Sequence, residues 1–197
     1  RAMVVAGVLY LSQDGFQGET GQANRFDGAL QAFLDDCDRK DCLGDPAGEV
    51  LDEVTAQSEK APIPAKGADR PATPGVVNLG VGEALYSESL WPALAKALKD
   101  ARAGDGTGLV ELADEYLQRD PDGSYESGFE IYFAVSCLDQ AFPRDPNKVF
   151  AAAKEAGKKY PRVGEGLVND YVRCALWPTP AQPVGPREQA FAFEFGH

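Results

Sequence analysis

Apolar residues recur every three or four positions through most of this chain, and that periodicity constrains its fold more than any other feature. The clearest case lies at residues 90–98, where Leu90, Leu94 and Leu98 share one side with Trp91. Such spacing is typical of an amphipathic helix with one buried face. Comparable segments occur at residues 25–36, 74–85, 109–117, 125–139, 147–160 and 163–176, and Asp45-Pro46 opens another. The sequence therefore predicts a mainly α fold.

The two ends of the chain follow a different pattern. Residues 2–11 are nearly all apolar, which suits a short buried strand, and residues 190–195 alternate between alanine or glutamate and phenylalanine. We therefore expect short β-strands at the N- and C-terminal ends with helices between them. The proline-rich stretch at residues 61–74 is predicted to be a mobile loop.

Charge excludes two classes of partner. The 197 residues carry 31 acidic and 19 basic side chains, for a formal net charge of -12. Nucleic acids and anionic membrane surfaces bind proteins that present a concentrated positive field, which this acidic chain does not have. Cationic groups are therefore the expected ligands. No stretch approaches the roughly 20 apolar residues that span a bilayer. With 44% hydrophobic and 25% charged residues, the composition is that of one ordinary globular domain.

The four cysteines form a close pair, Cys37 and Cys42, and a distant pair, Cys137 and Cys174. Four cysteines allow three connectivities. Pairing by neighbourhood would close two disulfides and favour an oxidising compartment, while four reduced, buried thiols in a cytosolic protein are the alternative. A zinc site is not expected, since there is no Cys-x-x-Cys and the single histidine is His197.

Catalytic motifs are missing from the sequence. It contains no Gly-x-Ser-x-Gly pentapeptide, and His197 stands at the chain end without a scaffold to orient it as a general base. We therefore predict no catalytic residue, no metal and no cofactor in this chain.

A group of acidic and aromatic residues is the candidate binding site. Glu126 and Glu130 are four positions apart on the predicted helix 125–139, so they would share a face beside Tyr132. Like charges at this spacing repel by a few tenths of a kcal/mol, and a ligand ammonium would offset that repulsion. Asp139, at the far end of the segment, could add a further negative charge to this site. The alternative is a solvated acidic face.

Four runs of sequence resemble a known family. They are residues 21–42 (GQANRFDGALQAFLDDCDRKDC), 84–114 (ALYSESLWPALAKALKDARAGDGTGLVELAD), 133–139 (FAVSCLD) and 174–178 (CALWP). Together they resemble the insert of secreted actinobacterial tripeptidyl aminopeptidases, which are α/β-hydrolase serine exopeptidases. The resemblance implies that residues 21–180 form a helical cap over an active site. Residues 1–20 would then be a strand and connection from the hydrolase core, and residues 181–197 a proline-rich tail with a short strand.

The two ends depart from the family pattern. Residues 1–7 resemble the hydrolase strand that enters the cap, but Ala6 stands where the family usually has aspartate. After Pro186 the expected strand with the catalytic aspartate is replaced, and the sequence holds no nucleophile segment. The chain is expected to be a segment of a larger enzyme, an engineered form, or a chain whose partner segment supplies the triad.

The resemblance implies a function and a set of partners. The chain would be the substrate-covering cap of a secreted serine aminopeptidase that releases short N-terminal peptides, inactive without the remainder of the hydrolase core. Its carboxylates would bind the free N-terminus of a peptide. The resemblance also brings together the helix edges that carry Cys37 with Cys42 and Cys137 with Cys174, and so predicts these two disulfides. The alternative function is a non-enzymatic helical binding protein of the cell exterior.

Overall fold

The computed structural model describes the backbone of residues 15–181 and the side chains of residues 21–181. This part of the chain is mainly helical, which confirms the predicted fold class. The helices are α1 (Gly15–Lys40), α2 (Ala47–Lys60), α3 (Pro74–Ala84), a 3-10 turn (Glu88–Leu90), α4 (Trp91–Arg102), α5 (Thr107–Leu117), α6 (Gly128–Asp139), α7 (Pro146–Lys159), α8 (Gly164–Asn169) and α9 (Val172–Ala175). The strands predicted at residues 2–11 and 190–195 lie outside the described residues.

The chain divides into two compact units, and residues 24–129 form the first. Helices α3 and α5 approach each other closely within it, because Gly80 has no side chain. A Cβ atom there would lie 2.7 Å from the carbonyl oxygen of Leu109. The fully buried side chains of this unit include Phe33, Val50, Val54, Val77, Leu94, Leu98, Leu109 and Val110. Leu94 and Leu98 are two of the residues that the helical periodicity places on an apolar face.

The loop at residues 61–73 is attached to this unit rather than loose, in contrast to the sequence prediction. Ile63 is buried and exchanges two backbone hydrogen bonds with Ala72, at 2.9 and 2.8 Å. Two arginines add ion pairs: Arg70 bonds Asp114, and the guanidinium of Arg119 lies 2.6 Å from the Asp69 carboxylate. A network of alternating positive and negative charges contributes more to stability than an isolated ion pair on the surface.

The second unit contains the described residues 15–23 and 130–181. Helices α7 and α8 pack around Ala153, Ala156 and Val168, which are buried. Their close approach needs a glycine, since a Cβ atom at Gly164 would overlap the carbonyl group of Ala156. The boundaries of the predicted cap domain, residues 21–180, stay a prediction.

Two helices begin at a side-chain cap followed by proline, whereas α2, predicted to open at Asp45-Pro46, begins at Ala47 without a side-chain cap. The side chain of Thr73 accepts a hydrogen bond from the N–H of Val76, and Pro74 occupies the first helical position. Asp145 caps α7 in the same way through the N–H of Asn147. The predicted helix at residues 163–176 is instead two short helices, α8 and α9.

Within residues 15–181, no helix is both long and apolar enough to cross a membrane. The same residues contain no cluster of three or more histidine, cysteine, aspartate or glutamate side chains that could hold a metal ion.

Candidate functional site

Helix α6 begins at Gly128, three residues later than the sequence predicts, and this removes Glu126 from the helix. The preceding segment is held in a turn by a backbone bridge between Arg119 and Tyr125, and by the Glu126 N–H, which donates to the carbonyl oxygen of Gln118 at 3.1 Å. The Arg119 guanidinium also lies 5.8 Å from the centre of the Tyr125 ring. Glu126 is exposed and belongs to the first unit.

Glu130 and Asp139 lie at opposite ends of the part of α6 that belongs to the second unit, and both are exposed. They are nine positions apart, which corresponds to about 13 Å along the axis and roughly half a turn around it. One small cation therefore cannot contact both carboxylates. Within this unit the structure does not bring the predicted carboxylates of Glu130 and Asp139 together.

Tyr132 is the predicted site residue that the structure ties most closely to its surroundings. Its hydroxyl shares a 2.8 Å hydrogen bond with the hydroxyl of Tyr171, and its ring meets Phe133 edge-on at 5.2 Å. Tyr171 in turn stacks on Phe142 at 5.0 Å, and the Arg173 guanidinium lies 4.5 Å from the centre of the Phe133 ring. An aromatic cluster with a cation on one face results.

Both predicted disulfides are present. Cys37 and Cys42 are joined at the C-terminal end of α1, with Cα atoms 5.1 Å apart. Cys137 and Cys174 join α6 to α9, with Cα atoms 4.9 Å apart. The second bond holds α6 to α9, and it therefore restricts which face of α6 points outward.

The structure brings together a carboxylate pair that sequence reasoning missed. Glu83 lies on α3 and Glu115 on α5, in the first unit. Burial raises the pKa of Glu83, and the charge of Glu115 raises it further. No spacing rule pairs residues 32 positions apart; the signal is the glycine at position 80, which lets the two helices approach.

Aromatic rings accompany this carboxylate pair in the first unit. Phe26, Tyr86, Tyr116 and Phe129 form a chain with successive ring centroids 5.4, 6.2 and 5.8 Å apart. The Tyr86 ring is exposed. Two carboxylates whose charges repel, in a unit that also offers aromatic faces, have the chemistry to bind an ammonium group with an apolar neighbour.

No family model matches the chain. A comparison with individual known proteins does find relatives. The chain is 29% identical to "Carboxylesterase B" of Mycobacterium tuberculosis, over 92% of its own length and 36% of that protein. It is 30% identical to "Serine protease Hip1" of the same species, over 91% of its length and 37% of that protein. The chain thus spans little more than a third of the relatives that it matches. It is accordingly related, over almost its whole length, to one segment of mycobacterial hydrolases.

Proposed function

We propose that this chain is the substrate-covering cap of a secreted serine aminopeptidase of the α/β-hydrolase type. The observation that carries the proposal is the unequal coverage: nearly the whole chain matches a little over a third of each hydrolase. An α/β-hydrolase holds its nucleophile on a sheet, whereas residues 15–181 are helical. The matched segment therefore corresponds to a helical part of such an enzyme, and the sheet belongs to the remainder.

A cap of this kind would select substrates by size and by charge. Helices over an active site admit a short, extended peptide and exclude folded protein. A carboxylate beside an aromatic surface favours a free α-ammonium, because a charge-assisted hydrogen bond contributes about 1.5–3 kcal/mol. The two disulfides support export to an oxidising compartment, where such bonds persist.

Three carboxylates are the candidates for binding the substrate amine. Glu130 is exposed beside Ile131 and Tyr132, and Glu126 precedes the same helix. Glu83 has a second negative charge, Glu115, close enough to raise its pKa. A bound ammonium would relieve that repulsion, which gives Glu83 the stronger electrostatic reason to bind one.

The test restores the chain to a complete enzyme that includes the remainder of the hydrolase core, called the full-length protein below. Glu130→Gln, Glu126→Gln and Glu83→Gln are made separately, and kcat/KM is compared for a free and an N-acetylated tripeptide anilide. We expect the parent to prefer the free amine, and the right variant to lose that preference by about one to two orders of magnitude. Glu155→Gln, an exposed carboxylate on α7, is the matched control.

Labelling with a serine-directed fluorophosphonate separates recognition from catalysis. All four variants should label as fast as the parent, because none removes a nucleophile. If the full-length protein does not react with the reagent, it is not a serine hydrolase and the proposed function is wrong. If it reacts but every variant keeps the parent's preference, the amine is bound elsewhere.

A further inference from the structure

Helix α6 is apolar on both sides, unlike its neighbours. Its inner side buries Phe133, Ser136 and Cys137. Its outer side carries Ile131, Tyr132 and Val135, which are 59%, 46% and 52% exposed; these three residues are called the outer stripe below. No charged residue occurs between positions 130 and 139. A helix that is hydrophobic all round is normally buried in a larger structure.

Helix α7 of the same unit exposes one large apolar residue, Phe150, but it exposes several charged residues as well. Lys154, Glu155 and Lys158 are exposed there, and Lys158 pairs with Glu155 at 2.6 Å. In the outer stripe, by contrast, the side chains of Ile131 and Val135 have no polar atoms. Ile131 and Val135 are one helical turn apart, about 6 Å along the axis, so their side chains form a continuous apolar surface.

The disulfide prevents α6 from turning this surface inward. Cys137 is held to Cys174 of α9, and Phe133 lies under the Arg173 guanidinium at 4.5 Å. Rotating the helix to bury Ile131 and Val135 would expose Phe133 and break the disulfide geometry. The stripe must therefore be covered from outside the described part of this unit or stay in water.

We infer that the outer stripe of α6 is the surface on which the rest of the hydrolase polypeptide docks, an inference that rests on the function proposed above. The comparison with the relatives indicates what would cover the stripe, because almost two thirds of their length lies outside the segment that this chain matches. A second copy of the chain is a poorer occupant. Each copy carries a net charge of -12, and Glu130 and Asp139 flank the stripe, so two copies would repel.

Cysteine accessibility tests this docking surface. Ile131→Cys and Val135→Cys are introduced singly into the 197-residue chain and into the full-length protein, and maleimide labelling rates are measured. Ala151→Cys, an exposed position on α7, is the control. In the 197-residue chain all three should label at similar rates. In the full-length protein, labelling at positions 131 and 135 should slow by about a hundredfold or more, and labelling at position 151 should not.

The other outcomes overturn the inference, and they separate it from the proposed function. Equal labelling at all three positions of a full-length protein that reacts with fluorophosphonate leaves the cap function intact and removes the docking surface. Slow labelling already in the 197-residue chain means that the chain or a second copy covers the stripe. A full-length protein without fluorophosphonate reactivity removes both. If a variant fails to fold, hydrogen exchange of residues 131–135 in the two unmodified proteins gives the same comparison.

Discussion

Asp170 is a partly buried carboxylate at the C-terminal end of α8. Burial raises its pKa above the ordinary 3.8, and the nearby charge of Arg173 offsets only part of that rise. Because the folded-state pKa lies above the unfolded one, the folded state binds more protons between them. The free energy of unfolding therefore falls as pH rises through that window, and the ionised Asp170 is destabilising at neutral pH.

Replacing Asp170 with asparagine should therefore stabilise the chain at neutral pH. We expect Asp170→Asn to raise Tm by about 1–3 °C at pH 7, with the gain disappearing as pH falls below about 4. Thermal unfolding followed by circular dichroism over a pH series measures this. A gain that is the same at every pH would contradict the electrostatic explanation.

Asp69 is the matched control for this experiment, because its pKa shifts the other way. A hydrogen bond from the Arg119 side chain lowers the pKa of the Asp69 carboxyl. Its contribution to stability is present above the unfolded-state pKa and is lost as pH falls through the folded-state value. Asp69→Asn should accordingly lower Tm at pH 7, and the loss should shrink in acid.

The two disulfides differ in how much they constrain the unfolded chain. Cys137 and Cys174 are 37 positions apart, whereas Cys37 and Cys42 are 5 apart. The chain-entropy relation assigns about 4 kcal/mol to the longer loop and about 2 kcal/mol to the shorter one. Removing both cysteines of a pair avoids leaving a reactive thiol behind.

We therefore expect the double variant Cys137→Ala/Cys174→Ala to lose about 2 kcal/mol more stability than Cys37→Ala/Cys42→Ala. Urea unfolding of the two variants and the parent measures the difference. Equal losses, or a larger loss at the short loop, would show that local packing rather than loop entropy decides how much each bond contributes.

Helix ends that depend on nearby residues could be predicted from the sequence. Thr73-Pro74 and Asp145-Pro146 begin α3 and α7, because cap and proline act within one turn. The start of α6 could not be predicted, since the competing interactions come from Gln118 and Arg119, outside the segment. They hold Tyr125 and Glu126 out of a helix that the periodicity extends over them.

The same distinction applies to the candidate site. Tyr132 could be chosen from its position on an aromatic helix, and it contacts Tyr171 through its hydroxyl. Glu83 and Glu115 could not, because their proximity arises from the packing of α3 on α5. Pairing by neighbourhood favoured the two disulfides, but four cysteines leave three connectivities open, and only the family resemblance selected among them.

The proposed function, a cap separate from the catalytic core, predicts that the 197-residue chain has no peptidase activity by itself. Peptide hydrolysis by a serine enzyme needs a nucleophile and a base within hydrogen-bond reach, and the only histidine in the sequence is His197. Purified chain should therefore hydrolyse a free tripeptide anilide no faster than buffer, and His197→Ala should change nothing. The full-length protein should turn the substrate over and lose that activity to a serine-directed inhibitor. Turnover by the purified chain that the same inhibitor abolishes would show that the chain carries its own catalytic serine, and the assignment as a cap would be wrong.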